Sequence, residues 1–173
     1  MKWQAKVVLI LLSVATVAAN AQLPSNDPTG RNTQARGYWV DPSTGLTWAG
    51  KDNGKDVSWK GAVKYCGDLR LAGNSDWRLA NTVELQGIYD KTASAPGFAG
   101  PRKKPMPFTW HVKGNLFLTG DQWTNVYIMD DRGRNSGYYD YFDFNEGRPN
   151  DDPSGWPYPN DGMRALCVRG SEK

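Results

Sequence analysis

Three adjacent cations lie in the middle of the chain, in a proline-flanked segment without helical or strand periodicity: Arg102, Lys103 and Lys104. Clustered Lys and Arg side chains attract polyanions, including sulfated polysaccharides. The simpler interpretation is that the run is the solvated surface of a loop. We retain the three residues as candidate contacts to a sulfated glycan.

Carboxylate and amide side chains are concentrated near the C-terminal end of the chain. Hard oxygen donors in flexible loops suit calcium, which takes about six to eight of them. The same residue types also form turns, so a purely structural interpretation stays open. We expect no other cofactor. The candidate calcium ligands are Glu146, Asn150, Asp151, Asn160 and Asp161.

An aromatic segment, Tyr138 to Phe144, alternates with the period of two that is typical of a strand. Tyr139 and Tyr141 fall on one face, where tyrosine rings could stack on sugars, and Trp156 lies in a late loop. A half-buried strand explains the same alternation without a ligand. Tyr139, Tyr141 and Trp156 are therefore candidate sugar contacts, with burial as the alternative.

Residue patterns typical of catalysis are scarce. The one histidine, His111, has no histidine or cysteine near it at metal-ligand spacing. The sequence contains neither a Gly-x-Ser-x-Gly elbow nor a Gly-rich phosphate loop. We therefore expect a protein that is not an enzyme.

The first residues of the chain have the pattern of an export signal. Lys2 and Lys6 precede an apolar stretch over residues 7–17, and Ala19-Asn20-Ala21 resembles a cleavage site. The stretch is too short to span a bilayer, which needs about 20 apolar residues. We expect a signal peptide over residues 1–21 and a secreted, periplasmic or cell-surface protein without membrane insertion. Cleavage lowers the formal charge from +3 to about +1, which does not favour nucleic-acid binding.

The chain has two cysteines, Cys66 and Cys167. An even number in an oxidising compartment favours a disulfide, and two unpaired buried thiols are the alternative. A bond between them would close a loop of about 100 residues, which removes roughly 4.7 kcal/mol of unfolded-state entropy on the simple chain model. Because no C-x-x-C pair is present, disulfide exchange is not expected.

Local patterns predict the elements that would position these residues. Tyr38–Val40 and Leu46–Trp48 flank a turn with Pro and Gly and predict a β-hairpin. Ser58 is a good cap for a first helix, and Asn81 with Glu84 has the spacing of a capping box for a second. The predicted buried faces of the two helices are Trp59, Ala62, Val63, Cys66 and Leu69, and then Val83, Leu85, Ile88 and Tyr89.

The second half of the chain is rich in turn formers. Residues Thr92 to Pro107 predict a long loop, and strands are predicted later, over residues 116–118, 122–129, 138–144 and 163–168. A hairpin, two helices and then strands with long loops indicate an α+β fold with a twisted antiparallel sheet. We expect a flexible lead-in over residues 22–36 and one domain over residues 37–170.

Several separated motifs resemble one family. The string Asp41-Pro42-Ser43-Thr44-Gly45-Leu46-Thr47-Trp48 resembles the opening signature of the Lcl C-terminal domain family, which occurs in bacterial exported proteins and is named for a collagen-like adhesin. Asp76-Trp77-Arg78-Leu79 and the following Glu84-Leu85 are similar to its most recognisable segment, although Ala80 stands where the family usually has Pro. The resemblance covers residues 37–169.

This resemblance implies a C-type-lectin-like fold, distantly related to formylglycine-generating enzymes. In such folds a disulfide commonly joins the first helix to the last strand, and Cys66 and Cys167 stand in those two places. Since those enzymes use a cysteine pair in catalysis and both cysteines here belong to a bridge, the activity does not carry over. Many lectins of this fold bind sugar through calcium, and Arg148-Pro149-Asn150-Asp151 partly resembles their ligand loop.

The sequence thus predicts a secreted, non-catalytic recognition module that binds extracellular glycan in adhesion. Sulfated polysaccharide is the candidate ligand, because the adhesin that names the family is thought to bind sulfated glycans. The alternative is a structural or protein-interaction domain of the cell envelope with no small ligand. A broad exposed apolar patch would favour the protein partner.

Overall fold

The computed structural model describes residues 29–100, 104–153 and 163–170, so the predicted signal peptide lies outside it. Within these ranges, no helix is long and apolar enough to cross a membrane. Short helices and strands form a mixed α+β architecture. In chain order they are α1 (Thr33–Arg36), β1 (Tyr38–Val40), β2 (Thr47–Ala49), α2 (Trp59–Asp68), β3 (Arg78–Leu79), α3 (Thr82–Ile88), β4 (Ala95–Ala99), β5 (Met106–Trp110), a 3₁₀ turn (Lys113–Asn115), β6 (Asp121–Met129), β7 (Asn135–Asp143), β8 (Arg148–Pro153), β9 (Met163–Arg164) and β10 (Cys167–Arg169).

The first sheet has the strand order β1-β2-β10-β3. β1 and β2 form the hairpin that the sequence predicts, with Trp39 opposite Trp48. The carboxylate of Asp41 holds the turn, because it accepts hydrogen bonds from the Ser43 backbone N–H at 3.0 Å and the Thr44 hydroxyl at 2.8 Å. β10 pairs with β2 on one side and with β3 on the other, so the last strand lies among early parts of the chain.

α2 begins where the sequence predicts, after Ser58. The Ser58 hydroxyl accepts a hydrogen bond from the Gly61 N–H at 3.2 Å, which satisfies a donor of the first turn. Cys66 is fully buried on the inner face of the helix and is bonded to Cys167 of β10, with Cα atoms 5.3 Å apart. The predicted disulfide is therefore confirmed. It joins a helix to the last strand.

Two valines that were predicted to be buried are exposed. Val63 of α2 is 40% exposed and Val83 of α3 is 69% exposed. Val63 lies at the border of the apolar face of α2, whereas Val83, at about 100° per helix residue, points away from the buried Leu85 and Ile88 of α3. α3 otherwise begins as predicted, because Asn81 and Glu84 form a capping box.

A second sheet, in the order β8-β7-β6-β9, has a buried cluster on each face. On one face, Trp123 and Tyr139 pack with the disulfide and α2. On the other, Phe142 packs with Leu85 and Ile88 of α3. β6, β7 and β8 are antiparallel as predicted, whereas β9 runs parallel to β6, so the prediction of a purely antiparallel sheet is wrong there.

The predicted loop from Thr92 to Pro107 contains β4 and the start of β5. These strands pair from Ala95 opposite Trp110 to Ala99 opposite Met106, so the loop prediction is wrong. Proline and glycine are untypical of strands, so the prolines here and Gly97 keep the sequence from indicating a strand. Glycine is nevertheless required at position 97, because a Cβ there would lie 2.0 Å from the Leu118 carbonyl oxygen. The strand predicted over residues 116–118 forms only isolated bridges, at Phe117 and Leu118.

Residues 29–36, the described part of the predicted flexible lead-in, are held against the domain. The buried Thr33 hydroxyl donates to the Gly114 carbonyl at 2.6 Å. The Gln34 amide donates to the carbonyls of Gly50 and Asn115 at 2.8 and 3.0 Å. These contacts fix α1 beside the 3₁₀ turn.

Candidate functional site

The basic run predicted to bind glycan belongs to the connection between β4 and β5. Lys104 is exposed just before β5, at the outer end of the hairpin. Arg102 and Lys103 lie outside the described residues, as do Trp156, Asn160 and Asp161. The roles proposed for these five residues stay predictions.

Tyr139 and Tyr141 face inward from β7. Tyr139 is only 6% exposed, and its ring lies 4.3 Å from the ring of Trp59, centroid to centroid. Tyr141 is half-buried and packs edge-on against Trp123. Because α2 covers this face, Tyr139 is not accessible for stacking on a sugar, so the alternative of a half-buried strand holds for Tyr139, and a sugar contact at the half-buried Tyr141 stays a prediction. Tyr138, on the opposite face, is exposed.

The calcium candidates within the described ranges do not converge. Glu146 lies in the turn after β7 and pairs with Arg148 at 2.6 Å. Asn150 and Asp151 are consecutive residues of β8, and consecutive strand residues point to opposite faces of a sheet. No three His, Cys, Asp or Glu side chains in the described ranges are grouped to hold a metal ion. Among the described residues, Glu146, Asn150 and Asp151 are thus not brought together, and a calcium site that also includes Asn160 and Asp161 stays a prediction.

An open cleft of about 420 Å³ lies at the base of the β4–β5 hairpin. Its walls come from the residues before α1, the turn before β4 and the 3₁₀ turn. These segments are far apart in sequence and share no motif, so no spacing signal could have found the site. The cleft is lined by Thr29, Arg31, Asp90, Ala93, Ser94, Ala95, Val112, Lys113, Gly114 and Asn115.

Two cations and one carboxylate give the cleft a net positive lining. Arg31 is exposed, and its Nε donates to the Thr29 hydroxyl at 3.2 Å. The Lys113 Nζ donates to the Gly87 carbonyl at 2.9 Å, in the last turn of α3, where the helix dipole favours a cation. Hydrogen bonds from the Thr92 hydroxyl and N–H lower the pKa of Asp90. The carboxylate is thus ionised and already bonded within its own turn.

The remaining groups of the cleft offer hydrogen bonds and a small apolar surface. Ser94 and Asn115 supply a hydroxyl and an amide, while Ala95 and Val112 supply apolar contact. The Nδ1 of His111 lies 3.0 Å from the Ala93 carbonyl oxygen and so helps to hold the wall in place. Ion pairs to acidic groups and hydrogen bonds to hydroxyls are the chemistry that this lining supports.

A half-buried carboxyl group, Asp121, lies elsewhere, at the start of β6. β6 pairs with β7 at Gln122 and Phe142, which places Asp121 beside Asp143. Burial raises the pKa of Asp121 to about 7; the charge of Asp143 adds to the rise and the Arg164 guanidinium opposes it. The described residues around Asp121 do not group as metal ligands. Asp121 is therefore a group that titrates near neutral pH.

Comparison with protein families and known proteins gives one family match. The family model for the Lcl C-terminal domain matches residues 37–169, from the residue before β1 to the last residue of β10. No curated protein matches the chain. No solved structure matches it. Since the family match spans every strand of both larger sheets, the chain belongs to the Lcl C-terminal domain family.

Proposed function

We propose that this domain is a non-catalytic recognition module of the cell exterior or envelope, with a C-type-lectin-like fold, that binds sulfated polysaccharide. The observation that carries the proposal is the cleft, in which Arg31 and Lys113 face the same open space. Family membership and the Cys66–Cys167 disulfide are both consistent with an extracellular or envelope location.

The lining of the cleft matches the groups of an acidic sugar. Arg31 and Lys113 would pair with sulfate or carboxylate oxygens through charge-assisted hydrogen bonds. Ser94 and Asn115 would bond sugar hydroxyls, and Val112 would contact the C–H groups of the ring. The volume of about 420 Å³ lies within the range of about 300 to 1,000 Å³ that is typical of ligand pockets.

Lys104 extends the basic surface away from the cleft along the hairpin. Ala95 lines the cleft, and the four steps from Ala95 to Ala99 span about 13 Å at about 3.3 Å per residue. Lys104 lies beyond this point, just before β5. A ligand that reaches both Arg31 and Lys104 must be a chain of several sugars, so we propose a polysaccharide.

The experiment is calorimetric binding of heparin to the domain, first with calcium and then with a chelator. The double variant Arg31→Ala, Lys113→Ala is expected to weaken binding about tenfold or more, since each charged hydrogen bond contributes roughly 1.5–3 kcal/mol. The triple variant Arg102→Ala, Lys103→Ala, Lys104→Ala is expected to weaken it similarly. Binding should also weaken with added salt.

The matched control is Lys60→Ala, Lys64→Ala, which removes two exposed cations from α2. The proposal fails if this control weakens heparin binding as much as the cleft variant does, or if the wild-type domain binds no sulfated glycan. Loss of binding on chelation would instead assign the ligand to the acidic C-terminal loops.

A further inference from the structure

A second pocket lies where α1, the end of β2 and the end of α2 meet. Its volume is about 220 Å³, and it shares no lining residue with the cleft at the base of the β4–β5 hairpin. We call it the α1–α2 pocket. Its lining consists of Gln34, Gly37, Ala49, Gly50, Lys51, Tyr65, Leu69 and Leu71.

Two glycines keep this pocket open. The Gly50 N–H donates to the Gly37 carbonyl at 2.7 Å, so the end of α1 and the end of β2 are in backbone contact. A Cβ at Gly50 would lie 2.9 Å from the Gly37 carbonyl carbon, and Gly37 has a φ of +79°, which disfavours any side chain. Neither position can supply a side chain to fill the space. Because folded interiors contain few voids larger than a water molecule, a space of this size is a candidate ligand site.

The walls of the pocket are mainly apolar. Leu69 ends α2 and Leu71 follows it; both are half-buried and pack against the cluster that contains the disulfide, while Ala49 is fully buried. An engineered apolar cavity of about 150 Å³ is large enough to hold benzene. At about 220 Å³, the α1–α2 pocket has room for one aromatic ring with a short substituent.

The pocket also offers two polar side chains that have no hydrogen-bond or ion-pair partner among the described residues, Lys51 and Tyr65. Burial, together with the charge of Asp52, raises the pKa of Tyr65, so its hydroxyl stays protonated and can donate. Of the described residues that line the pocket, Lys51 alone is charged, and it is exposed. The Asp52 carboxylate already accepts hydrogen bonds from the Thr119 N–H at 2.6 Å and the Gln122 amide at 3.1 Å. A ligand that satisfies both Tyr65 and Lys51 must therefore carry an anionic oxygen.

We propose that the α1–α2 pocket binds a small aromatic carboxylate. Its ring would contact Ala49, Leu69 and Leu71, and its carboxylate would accept a hydrogen bond from Tyr65 and pair with Lys51. Charge and size both select this class: a cation and a hydroxyl donor need an acceptor, and the volume admits a single ring. This site is independent of glycan binding, because the two sites have no lining residue in common.

The test titrates three single-ring compounds, phenylacetate, benzyl alcohol and benzylamine, into the ¹⁵N-labelled domain. Phenylacetate is expected to give saturable shifts of the amide signals of Gly50, Lys51 and Tyr65. Benzyl alcohol lacks the charge and should bind about fivefold more weakly, and benzylamine should leave these signals unchanged. The variant Arg31→Ala, Lys113→Ala should bind phenylacetate as the wild type does, which distinguishes this pocket from the cleft.

Two conservative variants test the polar groups. Tyr65→Phe keeps the ring and removes the hydroxyl, so it should weaken phenylacetate binding about fivefold. Lys51→Gln should weaken it similarly and leave benzyl alcohol binding unchanged. The matched control is Lys55→Gln, which removes another exposed cation from the same loop.

The absence of saturable shifts with phenylacetate would overturn the proposal, as would equal binding of phenylacetate and benzylamine. So would an effect of Lys55→Gln as large as that of Lys51→Gln, or wild-type affinity for phenylacetate in both Tyr65→Phe and Lys51→Gln.

Discussion

At the scale of single residues, Asp121 has a charge that depends on pH near neutrality. Its pKa is raised to about 7 by burial and by Asp143, whereas an unperturbed carboxyl of this type titrates near 3.8. Between these two pH values, the folded protein holds a proton that the unfolded chain has released. The free energy of unfolding therefore falls as the pH rises from about 4 through 7.

Asp121→Asn should remove this pH dependence. We expect the variant to match the wild type near pH 4 and to exceed its free energy of unfolding by up to about 4 kcal/mol at pH 8. Urea denaturation at a series of pH values measures this. The control Asp76→Asn is expected to lower the free energy of unfolding instead. The hydrogen bond from Arg169 lowers the pKa of Asp76, so losing this carboxylate costs stability only above about pH 4. Parallel profiles for wild type and Asp121→Asn would contradict the assignment.

At this scale the sequence predicts residues whose role is local. Ser58 and Asn81 act on neighbours three positions along the chain, and residue type with spacing is enough to identify them. Arg31 and Lys113 are 82 positions apart in the chain. They line the same cleft because α1 is fixed against the 3₁₀ turn, and no local pattern encodes that arrangement.

At the scale of elements, one carboxylate determines how α3 begins. Glu84 accepts hydrogen bonds from the two terminal nitrogens of Arg78 at 2.8 and 2.5 Å and from the Asn81 N–H at 2.8 Å. Its side chain is buried, while that of Arg78 is partly exposed. The carboxylate thus joins β3 to the helix that packs beneath the second sheet.

Glu84→Ala should destabilise the domain by about 3 kcal/mol, because it leaves the Arg78 charge and the Asn81 donor without this partner. Chemical denaturation followed by circular dichroism measures the change. The control Glu146→Ala breaks the solvent-exposed pair with Arg148 and should cost less than about 1 kcal/mol. Similar losses in the two variants would show that the Glu84 contacts are no stronger than a surface pair.

The elements that the sequence predicts well are those with strong periodicity. α2, α3 and the β1–β2 hairpin lie where they are predicted. The β4–β5 hairpin was missed because Pro96, Gly97 and Pro107 are residues that usually end strands. Val63 shows a second limit: periodicity identifies its helix face, but only the packing of α2 in the folded domain decides that this residue stays 40% exposed.

At the scale of the whole molecule, the disulfide closes most of the chain. The cysteines are 101 positions apart, and such a closure contributes roughly 4.7 kcal/mol on the chain-entropy model. The variant Cys66→Ser, Cys167→Ser should lower the free energy of unfolding by about this amount, measured by urea denaturation. Reducing agent should destabilise the wild type similarly and leave the double variant unchanged. Any further loss in the reduced variant would mean that the agent acts elsewhere.

The position of that bond also determines how the domain carries mechanical load. A pull on the two ends passes from α2 directly to β10 through Cys66 and Cys167, and it bypasses the chain between them. About 340 Å of contour length, at about 3.4 Å per residue, is thereby protected from extension. Lys104, Lys113 and Tyr127 all lie in the protected part. Stretching the domain from its ends would therefore leave the β4–β5 hairpin and the second sheet unextended, while residues 29–65, the described residues before Cys66, bear the tension.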